Sequence, residues 1–303
     1  MPSLEERYAG CLAGLAVGDA VGTTVEFKRR GSFPPVTDMI GGGPFGLRAG
    51  QWTDDTSMAL CLAESLLAKK GFDAVDQMGR YLNWWKWGYL SSTGTCFDIG
   101  NTVRAALETF ERSGEAYAGS ADPDTAGNGS LMRLAPAPLF YFPNIEDVLH
   151  FSAQSSLTTH AAAEAVECCQ VLGHVIARCL VGMSKDDVLD ASELPLDEVA
   201  VKQIAVGDYR VRPRSEVRGT GYAVASLEAA LWCFNSTQSF EAAVLEAANL
   251  GDDADTTAAI VGQVAGAFYG IGGIPARWLG KLYMKEQILK IAEGLYDAAA
   301  RGV

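Results

Sequence analysis

The sequence of 303 residues predicts an all-α fold, on three observations. Met58, Leu62 and Leu66 recur at helical spacing after a Thr-Asp-Asp start, and Val261, Ala265 and Phe268 do so after a second acidic start. Residues 101–113, 145–155, 161–183 and 222–234 are rich in Ala, Leu, Glu and other helix formers. Alternating strand patterns are scarce, and only 208–218 (DYRVRPRSEVR) reads as weakly extended. Together they predict one compact multi-helix domain over residues 1–303.

The first helix carries Gly10, Gly14, Gly18 and Gly22, four residues apart, which places a stripe of glycine on one face. Glu5, Glu6, Arg7 and Asp19 share this helix, so the stripe predicts close packing of a central helix in a soluble protein. If that helix ends near Gly22, Glu26 lies in the loop leaving it. Loops are expected at about 28–51, 88–97, 114–130 and 184–221, where most inter-helical glycine and proline falls. Trp84, Trp85 and Trp87 precede the 88–97 loop and are expected mainly to pack. The motif Gly41-Gly42-Gly43-Pro44-Phe45-Gly46 fits a dinucleotide fingerprint by letters alone. No strand precedes it, Pro44 interrupts it and no βαβ unit follows.

Composition excludes several classes. Asp+Glu is 37 against 24 Lys+Arg, a net charge of 24 − 37 = −13. That charge argues against an extended nucleic-acid groove or an anionic membrane surface. Three histidines argue against a multi-histidine metal centre. Seven scattered cysteines without a C-x-x-C pair are expected as reduced, mostly buried thiols. Glu5 and Glu6 stand where a secretion signal needs basic residues, and no uninterrupted apolar run is expected to reach a membrane span. A cytoplasmic monomer is the expectation.

Two acidic helix starts are the strongest local signal. Thr53-Asp54-Asp55-Thr56 opens one helix, and Asp252-Asp253-Ala254-Asp255-Thr256-Thr257 opens another two hundred residues later. Helix capping explains one acid at such a position and contributes about 1 kcal/mol. Several carboxylates crowded together cost more than that unless a cation neutralises them. Oxygen donors without nearby Cys or His point to Mg²⁺, Mn²⁺ or Ca²⁺. Donors from two helix starts have room for two ions, a centre suited to activating water or clamping vicinal hydroxyls.

At the other end, Gly127-Asn128-Gly129-Ser130 is expected to open a helix whose free N–H groups can face a diphosphate. His160 ends a Ser/Thr-rich turn, and Tyr222 follows Gly219-Thr220-Gly221. Each of these, taken singly, is more often structural than functional.

Taken in order, G-D-A-V-G with Glu26, T-D-D-T, G-N-G-S-L-M-R at 127–133, T-T-H at 158–160, G-T-G-Y at 219–222 and D-x-D-T at 253–256 resemble the ADP-ribosylglycohydrolase family. The likeness is greatest to its bacterial dinitrogenase-reductase-activating branch and runs over nearly the whole chain. It implies an all-α fold with a dinuclear Mg²⁺ or Mn²⁺ centre. It also implies hydrolysis of the bond between ADP-ribose and a modified acceptor, most simply ADP-ribosyl-arginine on a protein. By motif match the metal ligands are Thr53, Asp54, Asp55, Asp253, Asp255 and Thr256. Asp252 stands where many relatives carry Gly and is left out of that set. The resemblance gives Asp98, Glu26 and Asp55 to catalysis, with Asp98 as acid/base and Glu26 on the metal side. It gives Gly129, Ser130, His160 and Tyr222 to the bound ADP-ribose. The acceptor stays open among arginine, serine, nucleic acid and small ADP-ribose derivatives. Two competing expectations are an all-α Mg²⁺-dependent diphosphate enzyme of terpenoid-synthase type and a non-catalytic ADP-ribose binder. The first needs a long apolar cavity, and the second is expected to have lost acidic ligands.

Overall fold

The structure, a computed structural model, describes residues 1–302. Among them are fourteen α-helices and no sheet. They are α1 (Leu4–Gly22), α2 (Asp54–Lys69), α3 (Ala74–Trp87), α4 (Asn101–Ser113), α5 (Pro136–Tyr141), α6 (Ile145–Leu157) and α7 (Ala163–Val181). The rest are α8 (Lys185–Val188), α9 (Val199–Ala205), α10 (Ala223–Ser236), α11 (Phe240–Ala248), α12 (Ala254–Tyr269), α13 (Ala276–Leu279) and α14 (Lys285–Arg301).

The centre is an antiparallel pair, α1 against α12. A capping box between Ser3 and Glu6 starts α1, with Glu6 N–H donating to Ser3 Oγ at 3.1 Å and Ser3 N–H to Glu6 Oε2 at 2.7 Å. The glycine stripe then does what its spacing predicts. A Cβ added at Gly14 would lie 2.3 Å from the Gly262 carbonyl oxygen, and one at Gly18 would lie 2.0 Å from that of Ala258. Two backbones in contact leave no space for a side chain between them. Leu4–Val25 has the length and apolarity of a membrane span, against expectation, with a mean hydropathy of 1.2 in its most apolar window. That window is 94% buried inside the fold, so here its apolarity supplies core surface.

The remaining helices cover this pair. Helices α7, α10 and α11 pack on α12, and α14 packs on α1, α2 and α5. The 184–221 region is more ordered than a loop, because α8 and α9 lie within it and bury Val188, Val201 and Ile204. The weakly extended stretch at 208–218 instead begins with a 3₁₀ turn, Asp208–Val211. Trp84 belongs to the core, Trp85 is half-buried against it, and Trp87 is exposed. All seven cysteines are unpaired and six are buried.

The antiparallel pairing places the site. The C-terminal end of α1, with Asp19 and the turn to Glu26, meets the N-terminal start of α12, with Asp253 and Asp255. Asp19 then draws the start of α2 to the same point.

Candidate active site

Neither acidic helix start caps itself. Asp19, fully buried, accepts the Thr53 N–H at 2.9 Å, the Thr56 N–H at 3.1 Å, the Thr53 hydroxyl at 2.9 Å and the Thr56 hydroxyl at 2.6 Å. Glu26, also buried, accepts the N–H groups of Ala254 at 2.7 Å and Asp255 at 3.1 Å. Both helix ends are therefore capped in trans by carboxylates from the α1 region. The acids within the two motifs are freed to face each other.

They face each other without countercharge. Asp55 Oδ2 and Asp255 Oδ2 are buried with no hydrogen-bond partner. Asp55 Oδ1 accepts only a 3.3 Å bond from the Thr256 hydroxyl. Glu26, Asp253 and Asp255 each bring a carboxylate oxygen to within 4.8 Å of the other two, close enough to share a metal ion. Among the described residues none of Asp19, Glu26, Asp54, Asp55, Asp98, Asp253 and Asp255 pairs with a Lys or Arg. Burial raises the pKa of every one. Asp98 is pushed up to about 8 and Glu26 to about 7, each by burial first and then by a neighbouring carboxylate. Burial pushes Asp19 up to about 6 against the pull of its four donors. Asp54, Asp55 and Asp255 are held well above the carboxylate range by burial and mutual repulsion. An all-oxygen set with orphaned anionic atoms and no basic partner fits hard divalent cations.

A cavity of about 520 Å³ opens above this cluster, with Glu26, Asp54, Asp98, Asp253, Asp255 and Thr256 in its wall. Asp98 stands on the loop before α4 in a left-handed conformation, φ 60°. Thr53 and Asp55 lie beneath the lining, and the Thr53 hydroxyl proton is engaged by Asp19.

The Gly127–Gly129 turn and His160 form the far side of the cavity. The segment from Gly127 to Ala135 is a run of turns, not a helix start, and α5 begins only at Pro136. Its two glycines disfavour helix and let the chain pass under the His160 ring; a Cβ at Gly129 would lie 2.8 Å from His160 Cε1. The backbone N–H groups of Gly129 and Ser130 donate to no acceptor among the described residues; Gly129 lines the cavity, whereas Ser130 is fully buried outside its lining. The Ser130 side chain is not brought to the cavity. Its hydroxyl points into the core and accepts from Ser156 at 2.8 Å and from the Cys169 thiol at 3.3 Å.

The tautomer of His160 follows from its neighbours. Arg133 Nη2 donates to Thr159 Oγ1 at 2.7 Å, which leaves the Thr159 proton for His160 Nδ1 at 2.9 Å. The His160 proton therefore sits on Nε2, on the side of Gly127 and Gly129. Burial and then Arg133 push the His160 pKa down to about 3, which keeps the ring neutral. An adjoining open hollow of about 660 Å³ shares Thr102, Gly127 and Gly221 with the main cavity. Tyr222 lies in that hollow, and its hydroxyl donates to Glu164 at 2.5 Å.

The ADP-ribosylglycohydrolase family model matches residues 1–302. The chain belongs to the ADP-ribosylglycohydrolase family. Within it, the chain is 44% identical over 294 residues to the ADP-ribosylarginine hydrolase Tri1 of Serratia proteamaculans (strain 568), covering 97% of this chain and 80% of that one. It is 32% identical over 288 residues to the ADP-ribosyl-[dinitrogen reductase] glycohydrolase of Rhodospirillum rubrum, covering 94% and 92% of the two chains. A solved structure, an ADP-ribosylglycohydrolase-related protein complex, superposes with a TM-score of 0.87 at 42% identity, over 99% of this chain and 100% of that one. The family membership and the polar, acid-lined cavity remove the terpenoid-synthase alternative, which requires a long apolar chamber.

Two residues of this family site carry no role in the sequence reading. Asp19 organises the start of α2, and its advance signals are the G-D-A-V-G motif and its place as an acid in the apolar C-terminal half of α1. Asn128 Nδ2 donates to Asp253 Oδ2 at 2.9 Å and ties the glycine turn to the acidic cluster. Asp252 takes φ 61° and turns its carboxylate outward to Arg218, 2.7 Å away. A left-handed position is one that favours glycine, and the Asp252 carboxylate on Arg218 is turned away from the acidic cluster.

Proposed function

We propose that this chain is a hydrolase that splits the N-glycosidic bond between ADP-ribose and an arginine side chain of a modified protein. The observation that carries the proposal is the convergence, in one cavity, of an uncompensated acidic cluster with a free amide donor and a neutral histidine. Relatives at 44% and 45% identity bear the name ADP-ribosylarginine hydrolase, which supports arginine as the acceptor.

Thr53, Asp54, Asp55, Asp253, Asp255 and Thr256 would hold two divalent cations, Mg²⁺ or Mn²⁺. Bound there, the cations supply Lewis acidity and positive charge beside the reacting ribose. Gly129 offers its backbone N–H group to the diphosphate, His160 donates from Nε2, and the Tyr222 ring faces the adenine in the adjoining hollow. Asp98, its pKa pushed up to about 8 by burial and neighbouring carboxylates in the metal-free protein, stands at the cavity wall as the acid that delivers a proton to the departing guanidine nitrogen. Glu26, its carboxylate held by two amide N–H groups, orients the attacking water and shares the proton. Asp55 keeps one oxygen unpaired toward the cluster. We place the reaction in a reducing cytoplasm, which suits seven unpaired thiols, and take the enzyme to act as a monomer.

The test is release of free ADP-ribose from arginine-, serine- and nucleic-acid-linked substrates, each with Mg²⁺ and with Mn²⁺. Rapid release from the arginine conjugate alone supports the proposal. Equal turnover by Asp55→Asn and wild type would refute the ligand assignment.

A further inference from the structure

Three phenylalanines from three separate segments meet beside the cavity and have no part in the core. The Phe27 and Phe45 ring centroids are 6.3 Å apart, edge to face, and Phe45 and Phe97 are 5.2 Å apart and tilted by 54°. None of the three joins the hydrophobic core, and Phe27 is 67% exposed while also lining the cavity. Their chain positions are specific: Phe27 directly follows Glu26, and Phe97 directly precedes Asp98. The aromatic rim thus borders both acids proposed for proton handling.

Phe27 is also held at a conformational cost. Its φ is 62°, a left-handed conformation that is rare for a bulky side chain and costs on the order of 1 kcal/mol or more. Two backbone hydrogen bonds lock it, Phe27 N–H to Asp252 O at 2.9 Å and Asp252 N–H to Lys28 O at 2.8 Å. Asp252, itself left-handed, is anchored by Arg218. Burial does not repay this arrangement, because the ring it presents stays in solvent.

We infer that Phe27, Phe45 and Phe97 form the acceptor subsite, an aromatic clasp for the guanidinium of the modified arginine beside Asp98; the inference rests on arginine being the acceptor. A planar delocalised cation is attracted to aromatic faces and to carboxylates, and both are present here. A serine hydroxyl would gain from neither. The clasp therefore contributes acceptor selectivity, while the amide turn and His160 bind the common ADP-ribose part.

The experiment uses the full-length, Mg²⁺-loaded chain, ADP-ribosylarginine as substrate and ADP-ribose as a ligand lacking the acceptor. Phe27→Leu and Phe45→Leu keep apolar bulk and remove the aromatic face. Each is expected to raise KM for ADP-ribosylarginine by about threefold to tenfold, with the calorimetric Kd for ADP-ribose unchanged. Phe27→Tyr keeps the aromatic face and is expected to restore the wild-type KM. The inference is overturned if both Leu variants keep KM within twofold of wild type, or if their ADP-ribose Kd rises by the same factor. A wild type that binds ADP-ribose yet releases none from ADP-ribosylarginine would overturn the arginine proposal itself and the clasp with it.

Discussion

Adding one methyl group at Gly18 and the same group at Gly79 should change stability in opposite directions. Gly18 faces α12, and an added Cβ would sit 2.0 Å from the Ala258 carbonyl oxygen and 2.5 Å from its carbonyl carbon. Ordinary Cβ contacts begin near 3.4 Å, so the two helices would have to separate by more than an ångström. The obstacle is backbone, which no rotamer change can move aside. Overpacking of this kind costs about 1–3 kcal/mol, and the upper end applies where two central helices are forced apart. Gly79 lies inside α3 with no atom within 4 Å of the added Cβ. Gly79→Ala should therefore stabilise by about 0.5–1 kcal/mol, through the lower backbone freedom of alanine in the unfolded chain. Urea and thermal melts of the metal-free and Mg²⁺-loaded proteins would measure both. For a chain of this size Gly18→Ala should lower the melting temperature by several degrees and Gly79→Ala should raise it slightly. Gly18→Ala should also weaken metal binding, because separating α1 from α12 displaces Asp19 and Glu26 from the helix starts they cap. If the two variants melt alike, close backbone packing is not what the glycine stripe provides.

Three further outcomes are expected. In chelator, Asp55→Asn should be at least as stable as wild type, because it removes a buried acid whose ionisation the fold opposes, while added Mg²⁺ should raise the melting temperature of wild type far more than that of the variant. Asp98 and Glu26 have pKa values of about 8 and 7, above their unfolded values, so the folded state binds more protons; metal-free stability should fall as pH rises from about 6.5 to 8. His160, at about 3 when folded, contributes its full effect above 6.5 and adds no slope in that window, and saturating Mg²⁺ should flatten the fall; a metal-free melting temperature that rises across the window contradicts the assignment. Thr159→Val removes the donor that fixes His160, and should raise the ADP-ribose Kd by roughly tenfold, with a changed His160 ring-nitrogen NMR signature and unchanged metal affinity.

Much of the site was legible because its residues obey local rules. The acids of 53–56 and 252–257 stand at helix starts, and glycine spaced by four marks a helix face, so both are visible in linear order. Ser130 shows where such rules stop. Its motif suggests ligand binding, yet the residue is fully buried outside the cavity wall, and its hydroxyl finds Ser156 and Cys169 in the core. The helix expected at Gly127–Ser130 failed for a related reason. A glycine turn beneath a histidine ring has the same letters as a helix start, and only the ring's position separates the two.

By itself, then, the sequence determined the helical class, the close pairing written into the α1 glycines, the two acidic runs and the family. These depend on spacing and residue type, which linear order carries. Tertiary structure alone decided that Asp19 and Glu26 cap helices distant in sequence, which frees the motif acids to face one another. It decided the His160 tautomer, through a chain from Arg133 by way of Thr159. It also decided that Phe27, Phe45 and Phe97 gather at the rim. Each of these depends on distances between segments tens to hundreds of residues apart, and antiparallel packing of α1 on α12 sets the one between Glu26 and the helix start it caps.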